Sequence, residues 1–277
     1  MECNLISICI PTYNQTHYLT KTLNSVVSQK NVRIELIITD DSTTDDVEIL
    51  VRQFIQDYPE IVILYFRNEI SLGSPQNWNY AISQARGEFI KILHHDEYFI
   101  TPLSLKKLFD QAKLNIDNVV FSASKSINKG VERDFVSNPI LIFKINNEAE
   151  RLLLGNIIGA PSAILFHHSK KVLFDTNLVW LVDVDFYITL LKTKCKLIYI
   201  DEKLYTSVID DHNLTNQCLA DTELLIREYT YLLRKHVNKL AFYKQIFYFY
   251  HIYKYLKKSI KDSKFLLFRM IKKVYYV

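Results

Sequence analysis

Phe89-Ile-Lys-Ile-Leu-His-His-Asp-Glu-Tyr-Phe99 runs from five mostly apolar residues into two imidazoles and two carboxylates, then two aromatics. The apolar half reads as a buried strand. Ionic groups at the edge of a core need partners or a metal, so a strand ending in His94-His95-Asp96-Glu97 is costly to build without a use. In an open α/β sheet, ligands bind just beyond the carboxyl ends of the strands. This stretch therefore predicts both a fold class and a place for chemistry.

Toward the N-terminus, Asn4–Ile10 reads as a first strand that stops at Pro11-Thr12-Tyr13-Asn14, followed by a helix with Leu19, Leu23, Val26 and Val27 on one face. Ile34–Ile38 is a second strand, ended by Thr39 and the acid-rich run Asp40 to Asp46. Val47, Leu50, Val51 and Phe54 mark the next helix, with Asp45 and Asp46 as its expected N-caps. Ile61–Phe66 is a third strand, and Pro75 opens a helix whose inner face is Trp78, Ala81, Ile82 and Ala85, closed by Gly87. Beyond the opening stretch come a helix carrying Leu105, Leu108, Phe109 and Ala112 and a strand at Val119–Phe121. Ser126–Asn147 is polar and irregular, an excursion from the sheet. Glu148–Leu154 reads as a short helix, Ala163–Phe166 as a strand, Phe186–Lys194 as a helix, and Lys196–Ile200 as a closing strand. The alternation of strand and helix predicts a mostly parallel central sheet covered on both faces. A sheet-containing domain over 1–220 and a helical region over 221–277 follow.

Composition narrows the chemistry. With 277 residues the chain can bury a real core. Five glycines, no GxGxxG after the first strand and no GxxxxGK[ST] weaken dinucleotide and Walker-type readings. Cys3, Cys9, Cys195 and Cys218 form no CxxC pair, which points to a reduced, cytoplasmic setting without disulfides or structural zinc. The run Leu5–Ile10 lacks a basic flank and is too short for a signal peptide, and no window reads as a membrane-spanning helix. Charge is uneven: residues 234–277 hold twelve Lys or Arg and one acid, +11, whereas residues 1–233 carry 22 bases and 29 acids, −7.

Three polar clusters, Pro11–Asn14, Asp40–Asp46 and His94–Glu97, follow predicted strands. Parallel strands point the same way, so the three clusters share one crevice. Paired acids there suit a nucleotide diphosphate: carboxylates accept from base and ribose, and one can hold a hard cation. His167-His168 follows a strand without an acid nearby in sequence and reads as a surface turn.

These residues resemble a known family. Ile8-Cys-Ile-Pro-Thr-Tyr-Asn14, Leu36-Ile-Ile-Thr-Asp-Asp-Ser42, Asn68…Gly73…Asn77-Trp-Asn-Tyr-Ala81, Arg86-Gly87 and the Asp96-containing strand end are similar to family 2 glycosyltransferases of the GT-A fold, a Rossmann-like α/β fold. The likeness covers about Leu5 to Asn216 and is nearest to bacterial enzymes of capsule, O-antigen or related surface polysaccharide. It implies an inverting transferase with a nucleotide-sugar donor, a UDP-sugar first among them, and a saccharide acceptor, free or lipid-linked. It also implies donor contacts from Pro11, Thr12, Tyr13, Asp40 or Asp41, Asn68, His94 and His95. Asp96 would be the ligand of a divalent cation, Mn²⁺ or Mg²⁺, and Asp183 the catalytic base, with Asp185 its rival. Asp201-Glu202 and His212–Gln217 would form a late loop over the substrates, and Gly159-Ala-Pro-Ser162 would lie near the acceptor or be a simple turn. The family's Asp-x-Asp has become His94-His95-Asp96 here, with Glu97 not expected to touch the metal directly. An inactive GT-A scaffold and a sugar-phosphate nucleotidyltransferase are the competing readings. The latter needs a Gly-rich basic N-terminal loop that Pro11–Asn14 does not supply.

Phe242-Tyr-Lys-Gln-Ile-Phe-Tyr-Phe-Tyr-His-Ile-Tyr-Lys-Tyr-Leu256 with Lys257-Lys258 is aromatic and basic together. Such a helix suits a membrane surface, on the inner face of the cytoplasmic membrane. Packing on the catalytic domain or a second subunit is the plainer alternative, and nothing points to nucleic acid.

Overall fold

The computed structural model describes residues 2–209, 218, 221–259 and 266–275. Nine strands of these residues form one sheet: β1 (Glu2–Thr12), β2 (Arg33–Asp40), β3 (Val62–Arg67), β4 (Gly87–Ile92), β5 (Glu97–Phe99), β6 (Asn118–Asn128), β7 (Val131–Phe135), β8 (Ile164–His167) and β9 (Lys196–Ile209). Their order is β3-β2-β1-β4-β8-β6-β9-β5, with β7 paired to β6 off that path. β3, β2, β1 and β4 run parallel, as do β6 and β9, while β8, β5 and β7 pair antiparallel with their neighbours.

Side chains of β1 explain why its sequence is almost unbroken apolar residues. Ile6, Ile8 and Ile10 enter one hydrophobic cluster with α1 (Thr16–Val27), α2 (Asp46–Asp57) and α4 (Ser104–Ala112). Cys9 enters the other, with α3 (Ser74–Ser83) and α6 (Val182–Leu191). A strand buried on both faces has no polar side to alternate with. The helices of the first half carry the expected faces: Leu105, Leu108, Phe109 and Ala112 of α4 are all buried. Asp45 does occupy the cap position of α2 but makes no cap bond; its carboxylate pairs with Arg67 instead.

Arg86-Gly87 has a packing cause. Glu35, fully buried in β2, accepts from Ser7 Oγ (2.6 Å), from the Arg86 backbone amide (2.9 Å) and from the Arg86 guanidinium (2.7 Å). A Cβ on Gly87 would lie 2.6 Å from the Leu5 carbonyl and 2.8 Å from the Ser7 amide, so only glycine lets β4 enter beside β1.

Departures from the expected pattern begin after the opening stretch. Glu97–Phe99 is a separate short strand pairing with the far half of β9, and β9 extends to Ile209 rather than ending at Ile200. The polar excursion is not irregular. β6 continues to Asn128 and turns through Lys129 and Gly130, both at positive φ, into β7; α5 (Pro139–Asn147) follows. β8 runs antiparallel to β6 because the β6–β7 hairpin has already turned the chain round before α5 and a 3₁₀ turn (Ala149–Leu154) lead into it.

The C-terminal residues are helical from Thr222: α7 (Thr222–Leu232), a π-helical turn (Leu233–Val237), α8 (Phe242–Ser259) and α9 (Leu266–Tyr275). They do not stand apart from the sheet. Ile226, Val237, Tyr248, Ile252, Met270 and Val274 are buried in the same cluster as Val119, Phe166 and Phe186. Among the described residues no helix is long and apolar enough to cross a membrane.

Candidate active site

The ends of β1, β2 and β4 meet at one edge of the sheet, where a cleft of about 620 Å³ opens. Pro11, Thr12 and Tyr13 line it from β1, Asp41 from the turn after β2, and His94 to Glu97 from the turn after β4. Because β8 runs the other way, its start, not its end, reaches this edge, bringing Ala160 into the wall and Ser162 beneath it. His167 and His168 are thereby carried to the opposite edge, where the His168 ring bonds the Gly87 carbonyl (2.9 Å).

The turn after β4 is built by backbone bonds. Leu93 donates to the Cys9 carbonyl (2.9 Å), extending the ladder one residue past the strand, and His94 donates to Ser162 Oγ (3.0 Å). Thr22 Oγ1 of α1 lies 2.8 Å from both the His95 and Glu97 carbonyl oxygens. The His95 ring sits 3.4 Å from the Pro11 carbonyl, and Trp78 stacks near His94 with centroids 4.7 Å apart. Ser162 Oγ in turn donates to the buried Glu97 carboxylate, which lies 3.3 Å from His94 Nδ1. Burial alone would push the His94 ring below its ordinary value, but Glu97 outweighs it and the net direction is up. His95 goes down through burial, and Asp96 goes up through burial and the Glu97 charge beside it.

Asp40 and Asp41 separate into different environments. Asp40 is fully buried and accepts from Tyr65 Oη (2.7 Å) and the Ser42 amide (2.8 Å), and it is not part of the cleft wall. Asp41 lines the cleft and accepts from Asn68 Nδ2 (2.6 Å), the Leu72 amide (3.1 Å) and the Gly73 amide (2.9 Å). Asn68 therefore acts through the loop: it ties Asp41 to Asn77 Oδ1 (3.1 Å) and shapes the approach to α3.

Asp183 lies in the first turn of α6 and reaches the same cleft. Burial pushes its carboxyl up to about 7, with the neighbouring His94 opposing that rise. Asp185 faces away: it is buried against the C-terminal helices, bonded to His236 Nε2 (2.6 Å) and Lys235 Nζ (2.9 Å). Two residues along a helix is over half a turn, so the two acids serve opposite sides. Glu228 of α7 completes the support. It accepts from three successive amides, Val179 (2.7 Å), Trp180 (3.0 Å) and Leu181 (2.8 Å), which holds the segment leading into α6 and presents Trp180 to the cleft.

Four buried side-chain polar atoms lack a partner among the described residues, and three of them belong to residues lining this cleft: Thr12 Oγ1, His94 Nε2 and Asp183 Oδ1. Buried polar atoms are almost always satisfied, so their concentration here marks a place made for a ligand. One nitrogen of His94 and one oxygen each of Asp96 and Glu97 lie within 4.8 Å of one another, a donor set that fits a divalent cation. Glu97, read from sequence as outside direct contact with a metal, stands in this group, although Ser162 and His94 already bond it.

Sequence reading missed Ser162 as the support of Glu97, Glu228, and Ser207 to Ile209 of β9 in the wall. Trp78 was assigned only to a helix core face. None has a local signal, since each is brought in by tertiary pairing. Asp201-Glu202 lies on exposed surface of β9, and His212–Gln217 lies outside the described residues.

Comparison with known proteins agrees with this architecture. The abequosyltransferase RfbV of Salmonella typhimurium is 38% identical over 95 residues, 34% of this chain and 28% of that protein. The Escherichia coli enzyme WfaP, a UDP-Glc:alpha-D-GlcNAc-diphosphoundecaprenol beta-1,3-glucosyltransferase, is 35% identical over 133 residues, 48% of this chain and 49% of its own length. The chain thus spans half or less of these two relatives. Among solved structures, S. aureus TarS 1–349 in complex with UDP-GlcNAc superposes with a TM-score of 0.67 at 16% identity, covering 97% of this chain and 79% of that one. The mannosyltransferase PcManGT of Pyrobaculum calidifontis, in complex with GDP-Man and Mn²⁺, gives 0.65 at 14% identity, covering 92% and 72%. These likenesses show a GT-A fold. The model of "Glycosyl transferase family 2" matches residues 7–173, more than half of the chain, and the chain belongs to that family.

Proposed function

We propose that this chain transfers a sugar from a nucleoside-diphosphate donor, a UDP-sugar first, to a saccharide hydroxyl with inversion at the anomeric carbon. The observation that carries this reading is the trio of unpartnered buried atoms, Thr12 Oγ1, His94 Nε2 and Asp183 Oδ1, around a single cleft. Asp183 is the base: a buried carboxylate with no hydrogen bond at one oxygen and a pKa raised to about 7 is suited to take a proton from an incoming hydroxyl. Thr12, Tyr13 and Asp41 line the nucleoside end, while His94 and His95 meet ribose or phosphate oxygens. Asp96 is the residue to hold Mn²⁺ or Mg²⁺, with His94 and Glu97 beside it, and imidazole in the set favours Mn²⁺. When bound, such an ion supplies charge neutralisation for the leaving diphosphate.

The names of RfbV and WfaP support polysaccharide synthesis as the setting, and that of WfaP supports a lipid-linked acceptor. A membrane surface fits the tail: Phe242, Tyr243, Ile246 and Tyr250 of α8 are exposed, with Lys254, Lys257 and Lys258 exposed further along the helix.

Release of nucleoside diphosphate from UDP-, GDP- and dTDP-sugars with Mn²⁺ tests the assignment. Wild type should turn over one donor class, and Asp96→Ala and Asp183→Ala should each reduce turnover at least about a hundredfold. Release that persists in both variants would sink it, and no release from any donor would favour an inactive scaffold.

A further inference from the structure

A second cavity, about 510 Å³, opens beside the donor cleft. It shares Ala160, Trp180 and Asp183 with the donor cleft, so the two are neighbouring chambers divided by the candidate base. Leu181 and Val184 flank Asp183 in its wall, and the remaining walls come from three places. The loop from Leu152 to Gly159 forms one side, Tyr229 of α7 another, and His251, Ile252 and Tyr255 of α8 the third. The loop is preformed: Asn156 accepts from the Ile158 (3.0 Å) and Gly159 (3.1 Å) amides and donates to the Gly159 carbonyl (2.9 Å). Tyr187 Oη pins the same carbonyl at 3.0 Å.

The lining has a definite chemistry. Trp180, Tyr229 and Tyr255 offer aromatic faces, the latter two with centroids 5.6 Å apart and planes inclined at 58°. His251 adds a polar edge on an exposed part of the helix. Among the described residues no Lys or Arg lines the cavity, so a phosphate or diphosphate would find no counter-charge here. Aromatic faces with a few polar edges and no cation suit the C–H faces and hydroxyls of neutral sugars, in a cavity of ordinary small-ligand size. An in-line displacement also requires the attacking hydroxyl to approach from the side opposite the leaving group, and this chamber meets Asp183 without any of the residues after β1, β2 and β4 that line the nucleotide end.

We propose that this chamber, walled by α7 and α8, is an acceptor subsite that takes a neutral oligosaccharide segment and delivers its terminal hydroxyl to Asp183. The subsite rests on the transferase reading above. It gives the C-terminal helices a second task besides packing, and it separates the neutral sugars of an acceptor from any charged carrier, which must lie elsewhere.

Saturation-transfer difference NMR on the full chain with UDP, GDP and the diamagnetic Mg²⁺ tests it, using cellobiose, maltose, lactose and N,N′-diacetylchitobiose as probes at concentrations matched to a Kd of about 1–10 mM. At least one disaccharide should give signals in wild type. Those signals should fall about tenfold or more in Tyr255→Ala and His251→Ala and persist in Tyr255→Phe. Nucleotide signals should be equal in all four proteins. Absence of every disaccharide signal, or signals that survive both alanine substitutions, overturns the subsite. If nucleotide signals are present in that case, the donor reading stands; if nucleotide signals are also missing from wild type, the transferase reading falls with it.

Discussion

Asp183 is the proposed base, and its environment makes a signed prediction. Its carboxyl is raised from 3.8 to about 7, so the folded state holds a proton that the unfolded chain releases between those values. Stability from this group is therefore full below about pH 4, declines as pH rises, and is gone above about pH 7, a span worth on the order of 4 kcal/mol. Asp183→Asn removes the titration, so the melting temperature of the variant relative to wild type should climb from pH 5 to pH 8; a constant difference would contradict the raised value. Activity runs the other way. The kcat/KM of wild type should rise with pH up to about 7 and then level, and Asp183→Asn should lose about 10²–10⁴ of the rate. Asp183 could be singled out in the sequence only through family resemblance, because a lone acid in a Val-Asp-Val-Asp run has no local mark. Lys91 shows the same limit more sharply. It sits in mid-strand, fully buried, with Nζ donating to the Ser162 carbonyl and 5.7 Å from both the Phe99 and Tyr205 ring centroids. Burial lowers its pKa to about 7, with Glu97 opposing. A lysine in an apolar run is visible, but the carbonyl that satisfies it lies 71 residues away.

At the scale of elements, α6 is held at its start by two separate contacts. Glu228 gathers the three amides before it, and Asp185 anchors its outer side to the π-helical turn, where Lys235 also reaches Asp175 (2.6 Å). Burial would raise the Asp175 carboxyl, but Lys235 and Tyr231 outweigh it and hold it well below the usual carboxylate range. Removing one partner of a buried pair leaves an uncompensated charge, a loss of about 3–5 kcal/mol. Asp185→Asn should therefore lower the unfolding free energy from denaturant titration by an amount in that range while reducing kcat much less than Asp183→Asn. An equal loss of kcat in the two variants would mean that their roles are not separate. The elements of the first half were legible because β1, β2, β4 and α4 each carry a strong period or an unbroken apolar run. The β6–β7 hairpin was not, since Lys129-Gly130 carries only half of an Asn-Gly signal and the β7 residues are all exposed. The reversal of β8 was hidden with it, because the hairpin turns the chain round before α5, and a four-residue apolar run does not record its own direction.

For the molecule as a whole, the basic tail is part of the core. Tyr248, Ile252, Leu256, Leu266 and Met270 are each at most 2% exposed and share a cluster with the sheet. Deleting Arg234–Val277 would strip that cover, and with about 1.5–3 kcal/mol for each large apolar side chain involved, the shortened chain should fail to fold rather than merely leave membranes. Far-ultraviolet circular dichroism and solubility would check this; a soluble, cooperatively melting product would show the tail to be separable. Surface substitution is the cleaner membrane test. Phe242→Ser with Ile246→Ser should leave the melting temperature within about 2 °C, because both side chains are exposed, yet reduce sedimentation with vesicles rich in anionic lipid. Unchanged sedimentation would remove the membrane role. The charge asymmetry was plain in the sequence, but the apolar half of the same helix packs inward at Tyr248, Ile252 and Leu256, a pattern that composition averages away.

Trp78 and Trp180 are the only two tryptophans in the chain, and both border the donor cleft, one beside His94 and the other on the wall shared with the second chamber. The intrinsic indole emission of the whole protein therefore originates at the wall of the proposed donor cleft. A base or sugar ring settling there changes the surroundings of one indole or the other, while events elsewhere on the surface stay dark. Removing either tryptophan leaves a single lamp, Trp78 in the donor cleft alone or Trp180 on the wall the two chambers share, so comparing the two one-tryptophan forms with the unmodified chain reports which chamber fills, and in what order, without any added label.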